Sequence, residues 1–115
     1  MMSIEHVANR FRLGRPTGLP AAVPGGLSNE LWRLETDRGA FAIKRMVVNA
    51  DRPDFIQNVE AAFEVEWRAW SSGVAMPEPV PDPETGRALT LVDGSLFRVH
   101  RWVAREFDLL LDRLR

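Results

Sequence analysis

The feature that most limits what this chain can fold into is the alternation of side chains along residues 27–48. Leu31, Arg33 and Glu35 fall on one side, and Trp32, Leu34 and Thr36 on the other. A period of two is the signature of a β-strand, because successive side chains point to opposite faces of a sheet. Asp37-Arg38-Gly39 interrupts the run with residues suited to a tight turn, and the pattern resumes over 40–48. The segment therefore predicts an antiparallel hairpin. In its second arm Lys44 shares a face with Ala42 and Met46, so its charge is aimed at an apolar surface. A lone hairpin is barely stable in water, and the rest of the chain must supply the strands and helices that cover it.

Ser3 is placed to cap a short helix carrying Ile4, Val7, Ala8 and Phe11 at helical spacing, with Gly14 ending it, a helix expected on the outside of the sheet. Prolines and glycines fill residues 15–26 and leave room for only a short strand near 21–23. Asp51, Pro53 and Asp54 predict the start of a long helix whose apolar stripe is Ile56, Val59, Phe63, Trp67 and Trp70, closed by Gly73. Pro77, Pro79, Pro81 and Pro83 then require an extended connector. Residues 87–92 and 95–103 read as two strands around Asp93-Gly94, a strong two-residue turn signal. Phe107, Leu110, Leu111 and Leu114 put an apolar stripe on a final helix over 104–115. The fold expected is α+β: an antiparallel sheet of about five strands, one long helix packed across it through Phe63, Trp67 and Trp70, and short terminal helices. Residues 1–103 form one unit, with 104–115 trailing it.

Composition removes several function classes. The chain has no cysteine, which excludes thiolate chemistry and cysteine-ligated metals, and its two histidines, His6 and His100, are too few and too far apart for a triad or a histidine-built metal site. Fifteen basic against sixteen acidic residues give a net charge of −1, so no overall field favours nucleic acid or an anionic membrane. Trp32, Trp102 and nearby arginines have the chemistry of a single-strand binder, but acids at least as numerous as the bases argue against that use. No signal peptide or membrane-length apolar run is visible, and a cytoplasmic location is expected.

Two motifs carry chemistry. Pro24-Gly25-Gly26-Leu27-Ser28-Asn29 lies between two predicted strands, where glycines allow a backbone to close on a phosphate with its N–H groups turned inward; adjacent glycines also serve simply as turns. Lys44, in the next strand, is placed to meet nucleotide phosphates, or else to discourage pairing at a sheet edge. An ammonium facing an apolar surface needs an anion. On the long helix Glu66 and Glu60 border the apolar stripe while Glu64 turns toward solvent, making Glu66 the first choice of partner and Glu60 the second.

In this order the pieces resemble the amino-terminal lobe of the protein-kinase-like fold, and in detail the aminoglycoside phosphotransferase group, also called the phosphotransferase enzyme family. "GGLSNELWRLETDRGAFAIKRM" is similar to that group's glycine loop and lysine strand, "GVAMPEPV" to its helix-to-strand connector and "FRVHRWV" to its strand entering the hinge. The resemblance implies ATP as ligand, with Gly25, Gly26, Ser28 and Asn29 over the phosphates and Lys44 on the α- and β-phosphates. It further implies that Glu66 orients Lys44, that Ala42 lies against adenine, and that the backbone of Arg101 and Val103 meets the adenine edge.

The departures are as informative. The family performs its chemistry from a second lobe with a His-Gly-Asp-type loop, a downstream asparagine and an aspartate metal motif, and this chain contains no Gly-Asp pair. The expectation is thus a truncated nucleotide-binding lobe, inactive alone, with magnesium entering only if a carboxy-terminal lobe is supplied. The alternative is a noncatalytic protein-interaction module derived from the same lobe. Such a module would offer its sheet and carboxy-terminal helix to a protein partner. In either reading the stripe on 104–115 needs cover, from the missing lobe, from a second copy, which exposed leucines favour, or by folding back on its own sheet over the adenine edge.

Overall fold

The computed structural model describes residues 2–24, 30–47 and 49–103. The expected glycine loop, including Gly25, Gly26, Ser28 and Asn29, and the expected helix over 104–115 lie outside the described residues.

The order is α1 (Met2–Arg10), β1 (Ala21–Ala22), β2 (Glu30–Thr36), β3 (Gly39–Met46), α2 (Phe55–Ser71), β4 (Pro79–Val80), β5 (Thr90–Val92) and β6 (Ser95–Arg101). The strands form one antiparallel sheet ordered β1-β2-β3-β6-β4, and β5 pairs with β6 beside β4. The fold is therefore α+β, with six strands among the described residues where about five were expected. The extra strand comes from the proline-rich connector, whose Pro79-Val80 pairs with His100 and Val99 at the sheet edge, the one place a proline without an N–H is tolerated. The predicted hairpins are present. Asp93 and Gly94 both take positive φ, 49° and 80°, the combination that joins two twisted strands through two residues.

Register divides the sheet into two unlike faces. Ile43 stands opposite Val99 and Trp32, and Leu34 opposite Phe41, all on one side. Against this side packs α1, and the core consists of Ile4, Val7, Ala8, Phe11 and Leu13 with Trp32, Leu34, Phe41, Ile43, Val92, Phe97 and Val99. The first helix is thus the principal cover of the core rather than a peripheral addition. It begins at Met2, so Ser3 sits inside it and does not cap it.

The other face carries Ala42, Lys44 and Met46 from β3 with Arg98 and His100 from β6 opposite them, and α2 lies over it. Here expectation and structure differ. Phe63 is buried and meets the Arg98 guanidinium, but Trp67 is 38% exposed and stacks on its helix neighbours Phe63 and Trp70 instead of on the sheet. Where α2 crosses this face it meets Arg98 and His100, which engage Glu66 and Phe63. The helix begins at Phe55, and Asp54 makes no side-chain cap bond. Strand β5 is also shorter than predicted, because the Ala88 and Leu89 N–H groups donate to the two oxygens of the Glu60 carboxylate, at 2.8 and 2.9 Å, and not to a strand.

A single buried acid ties α1 to the opposite edge. The Asp82 side chain has no exposed surface and accepts hydrogen bonds from the Thr90 hydroxyl, the Glu84 N–H at 2.8 Å and Arg10 Nε at 2.9 Å. Burial alone would raise its pKa, but these donors and the Arg10 charge hold it below the usual aspartate value. Removing the carboxylate deprives Thr90 and the Glu84 N–H of their acceptor and leaves Arg10 with only the exposed Glu84 side chain, so Asp82→Ala is expected to cost about 3 kcal/mol in urea unfolding. Since the folded-state pKa is depressed, this stabilisation is complete above about pH 3.8 and is lost as the pH falls through the folded value. A variant with wild-type stability at neutral pH would show that the network contributes nothing.

Candidate functional site

The charged sheet face opens, beside α2 and the end of β6, into a cavity of about 310 Å³. Five of the expected site residues lie within the described chain, and all five line this cavity: Ala42 and Lys44 from β3, Glu66 from α2, and Arg101 and Val103 at and beyond the end of β6. Its remaining wall is His100 of β6 together with apolar side chains, Leu31 on β2, Met76 and Pro77 on the connector, and Trp102. The strands explain the convergence. Ala42 and Lys44 share a face by alternation, and the β3–β6 register puts His100 opposite Ala42 and Arg98 opposite Lys44.

The expected Lys44–Glu66 ion pair is not made. Glu66 Oε1 is taken by two other cations or donors, Arg98 Nη2 at 2.9 Å and His100 Nε2 at 2.7 Å. The second candidate, Glu60, is committed to the backbone N–H groups before β5, and Glu64 is exposed. The expectation fails because it gives the side chains of β6 no part. Two of them, Arg98 and His100, point to the same face as Lys44 and outcompete it for the carboxylate. Lys44 thus shares the cavity with Glu66 without being bound to it.

The backbone at the cavity mouth is partly engaged. Arg101 N–H donates to the Glu78 carbonyl and Trp102 N–H to the Ala40 carbonyl, both at 2.9 Å. A ligand meeting the Arg101 backbone therefore finds its carbonyl oxygen and not its N–H. Arg33 lies over the Trp102 ring, 5.6 Å from its centroid, which holds the indole at the cavity rim. Leu31, Met76, Pro77, His100 and Trp102 were not among the expected site residues. For His100 and Trp102 the available signal is alternation in "FRVHRWV", which puts both on the face of Arg98.

His100 is mostly buried, and its environment favours the neutral ring. Burial and the Arg98 charge push its pKa below the ordinary value, opposed by the bond to Glu66, with Lys44 adding to the depression. Because Glu66 as a carboxylate can only accept, His100 Nε2 carries the hydrogen between them. Among the described residues no three histidine or acidic side chains gather as a metal-ligand set, and no helix is long and apolar enough to cross a membrane.

Two outcomes are expected. Glu66→Gln leaves the Arg98 guanidinium, only 12% exposed, without its counter-charge, and should destabilise the fold by about 2 kcal/mol in urea melts. The unfolded chain protonates His100 near pH 6.5 while the folded chain resists, so the unfolded state holds more protons between the two values. Stability should therefore fall as the pH drops through 6.5, and His100→Gln should flatten that slope relative to the parent chain; parallel slopes would refute the assignment.

Set against known protein families and curated proteins, the chain matches no family model and no curated sequence.

Proposed function

We propose that this chain grips ATP as the amino-terminal lobe of a kinase-like phosphotransferase, of the kind its sequence resembles in the aminoglycoside phosphotransferase group. The observation that carries the reading is the meeting of Ala42, Lys44, Glu66, Arg101 and Val103, from distant parts of the sequence, around one cavity of a size suited to a small ligand. Leu31, Ala42, Met76 and Trp102 would take the flat apolar base, and the Arg101 carbonyl its amino edge. With Glu66 and Glu60 both committed elsewhere, Lys44 keeps its charge for a phosphate. Among the described residues Glu66 is the one carboxylate lining the cavity, and it already answers Arg98 and His100, which is a poor donor set for magnesium. A base and metal ligands of the family's kind are not found in this sequence, so ATP is expected to be held and not turned over by this chain.

The runner-up is a noncatalytic interaction module, for which half-exposed Ile56 and Trp67 on α2 would be the contact. The open, charged Lys44 face favours the nucleotide reading, because a module without a ligand has no use for it.

In a calorimetric titration ATP should bind weakly, with a Kd on the order of 1 mM, and Lys44→Ala should abolish the heat. Undiminished binding by the variant would locate the nucleotide elsewhere, and turnover of ATP by the purified chain would contradict the reading as a whole.

A further inference from the structure

The cavity contains one ionisable group to which nucleotide binding, as proposed, gives no role. His100 projects from β6 opposite Ala42, one alternation step from Arg98, which itself stands opposite Lys44. Its ring lines the same cavity as Lys44 and is 21% exposed. The charged groups facing it come from all three surrounding elements: Glu66 of α2 at 2.7 Å, Arg98 of its own strand at 3.4 Å, and Lys44 of β3. Two fixed cations and one carboxylate therefore surround an imidazole whose Nε2–H is anchored on Glu66 Oε1. The second ring nitrogen, Nδ1, is the one without a hydrogen.

We propose that His100 is a proton-coupled positioning residue of this site: a phosphate-bearing ligand seated at Lys44 is bound with partial uptake of a proton, from solvent onto His100 Nδ1. The inference rests on the reading of the cavity as a phosphate site. Its physical basis is the sum of charges. Without a ligand, Arg98 and Lys44 oppose a positive ring, and burial adds to their effect. A phosphate paired with Lys44 offsets the Lys44 share of that repulsion, while that of Arg98 remains, and adds negative charge on the same sheet face, where water is partly excluded and Coulomb interactions are stronger than in bulk. The balance then favours imidazolium. Glu66 remains the anchor in both states, so the ring need not move; it gains a charge while staying in place. By linkage, a ligand that raises the pKa of a group binds more tightly when that group is protonated. The site would thus hold phosphate more firmly as the pH falls.

The test uses the whole chain and its two imidazoles, His6 and His100, whose proton resonances are followed against pH in the free protein, with ATP, and with inorganic tripolyphosphate. His6, paired with Asp93, serves as the internal reference. The expected result is an upward move of the His100 midpoint by about one unit with either ligand, and none for His6. That corresponds to an affinity about tenfold higher on the acid side of the titration than on the alkaline side. Calorimetry in buffers of different ionisation enthalpy should show proton uptake that disappears in His100→Gln, whose amide can still donate to Glu66. Comparing the two proteins cancels the ligand's own phosphate ionisation. If the variant does not fold, the resonance titration of the unaltered chain decides alone. Saturating ATP with an unmoved His100 midpoint overturns this inference and leaves the nucleotide reading intact. Absence of binding by both ATP and tripolyphosphate at every pH overturns both, and a shift with ATP but not tripolyphosphate assigns the effect to the base and refutes the phosphate coupling.

Discussion

Lys44 and Arg98 stand directly opposite each other on neighbouring strands, and much of the remaining architecture answers that repulsion. Like charges in facing positions destabilise a sheet. The register cannot slip to relieve them, since a shift of one residue would turn Ile43 and Val99 away from α1 and drive the charges into the core. The apolar face thus dictates a cationic face, and the cationic face requires an anion. Glu66 supplies one from α2, but it is shared between Arg98 and His100 and leaves the Lys44 charge uncompensated by any helix carboxylate.

The two helices are consequently held by different forces. α1 is fixed by a continuous apolar contact and by the Asp82 network at its end. α2 buries one large side chain, Phe63, and otherwise attaches through carboxylates: Glu60 on the Ala88 and Leu89 N–H groups, and Glu66 on Arg98 and His100. Apolar burial is insensitive to charge, whereas the Glu66 attachment depends on the protonation and occupancy of the cavity it borders. The face that carries the apolar core and the face that carries the charged cavity are separated by a single pleat.

Much of this was legible in the sequence, because alternation and helical spacing are local signals. The β2–β3 hairpin, the long helix ending before Gly73, and the Asp93-Gly94 turn come directly from residue order. Alternation also correctly aligned Ala42 with Lys44, and the cavity residues Arg101 and Val103 stand where β6 ends. What local pattern cannot convey is competition. Glu66 had to be assigned among Lys44, Arg98 and His100, which requires knowing that β6 lies beside β3. Asp82 is hidden because, between two prolines, it reads as an ordinary loop acid; its burial depends on Arg10, at the far end of the sequence. The outward position of Trp67 has the same origin, since a stripe's fate depends on what it faces.

The pairing of the earliest helix with the latest strands also has a consequence in time. Ile4 and Val7 find their cover on Val92, Phe97 and Val99, and Arg10 and His6 bond to Asp82 and Asp93. Nearly the whole described chain must be looped before these contacts can form, and closing a long loop costs entropy that nearer neighbours do not incur. During synthesis, α1 emerges from the ribosome long before its partners and waits with an apolar stripe uncovered. Topology of this kind slows folding and prolongs exposure of sticky surface to chaperones. The nascent helix is the part of this molecule most in need of protection, although in the finished fold its Ile4 and Val7 retain no exposed surface.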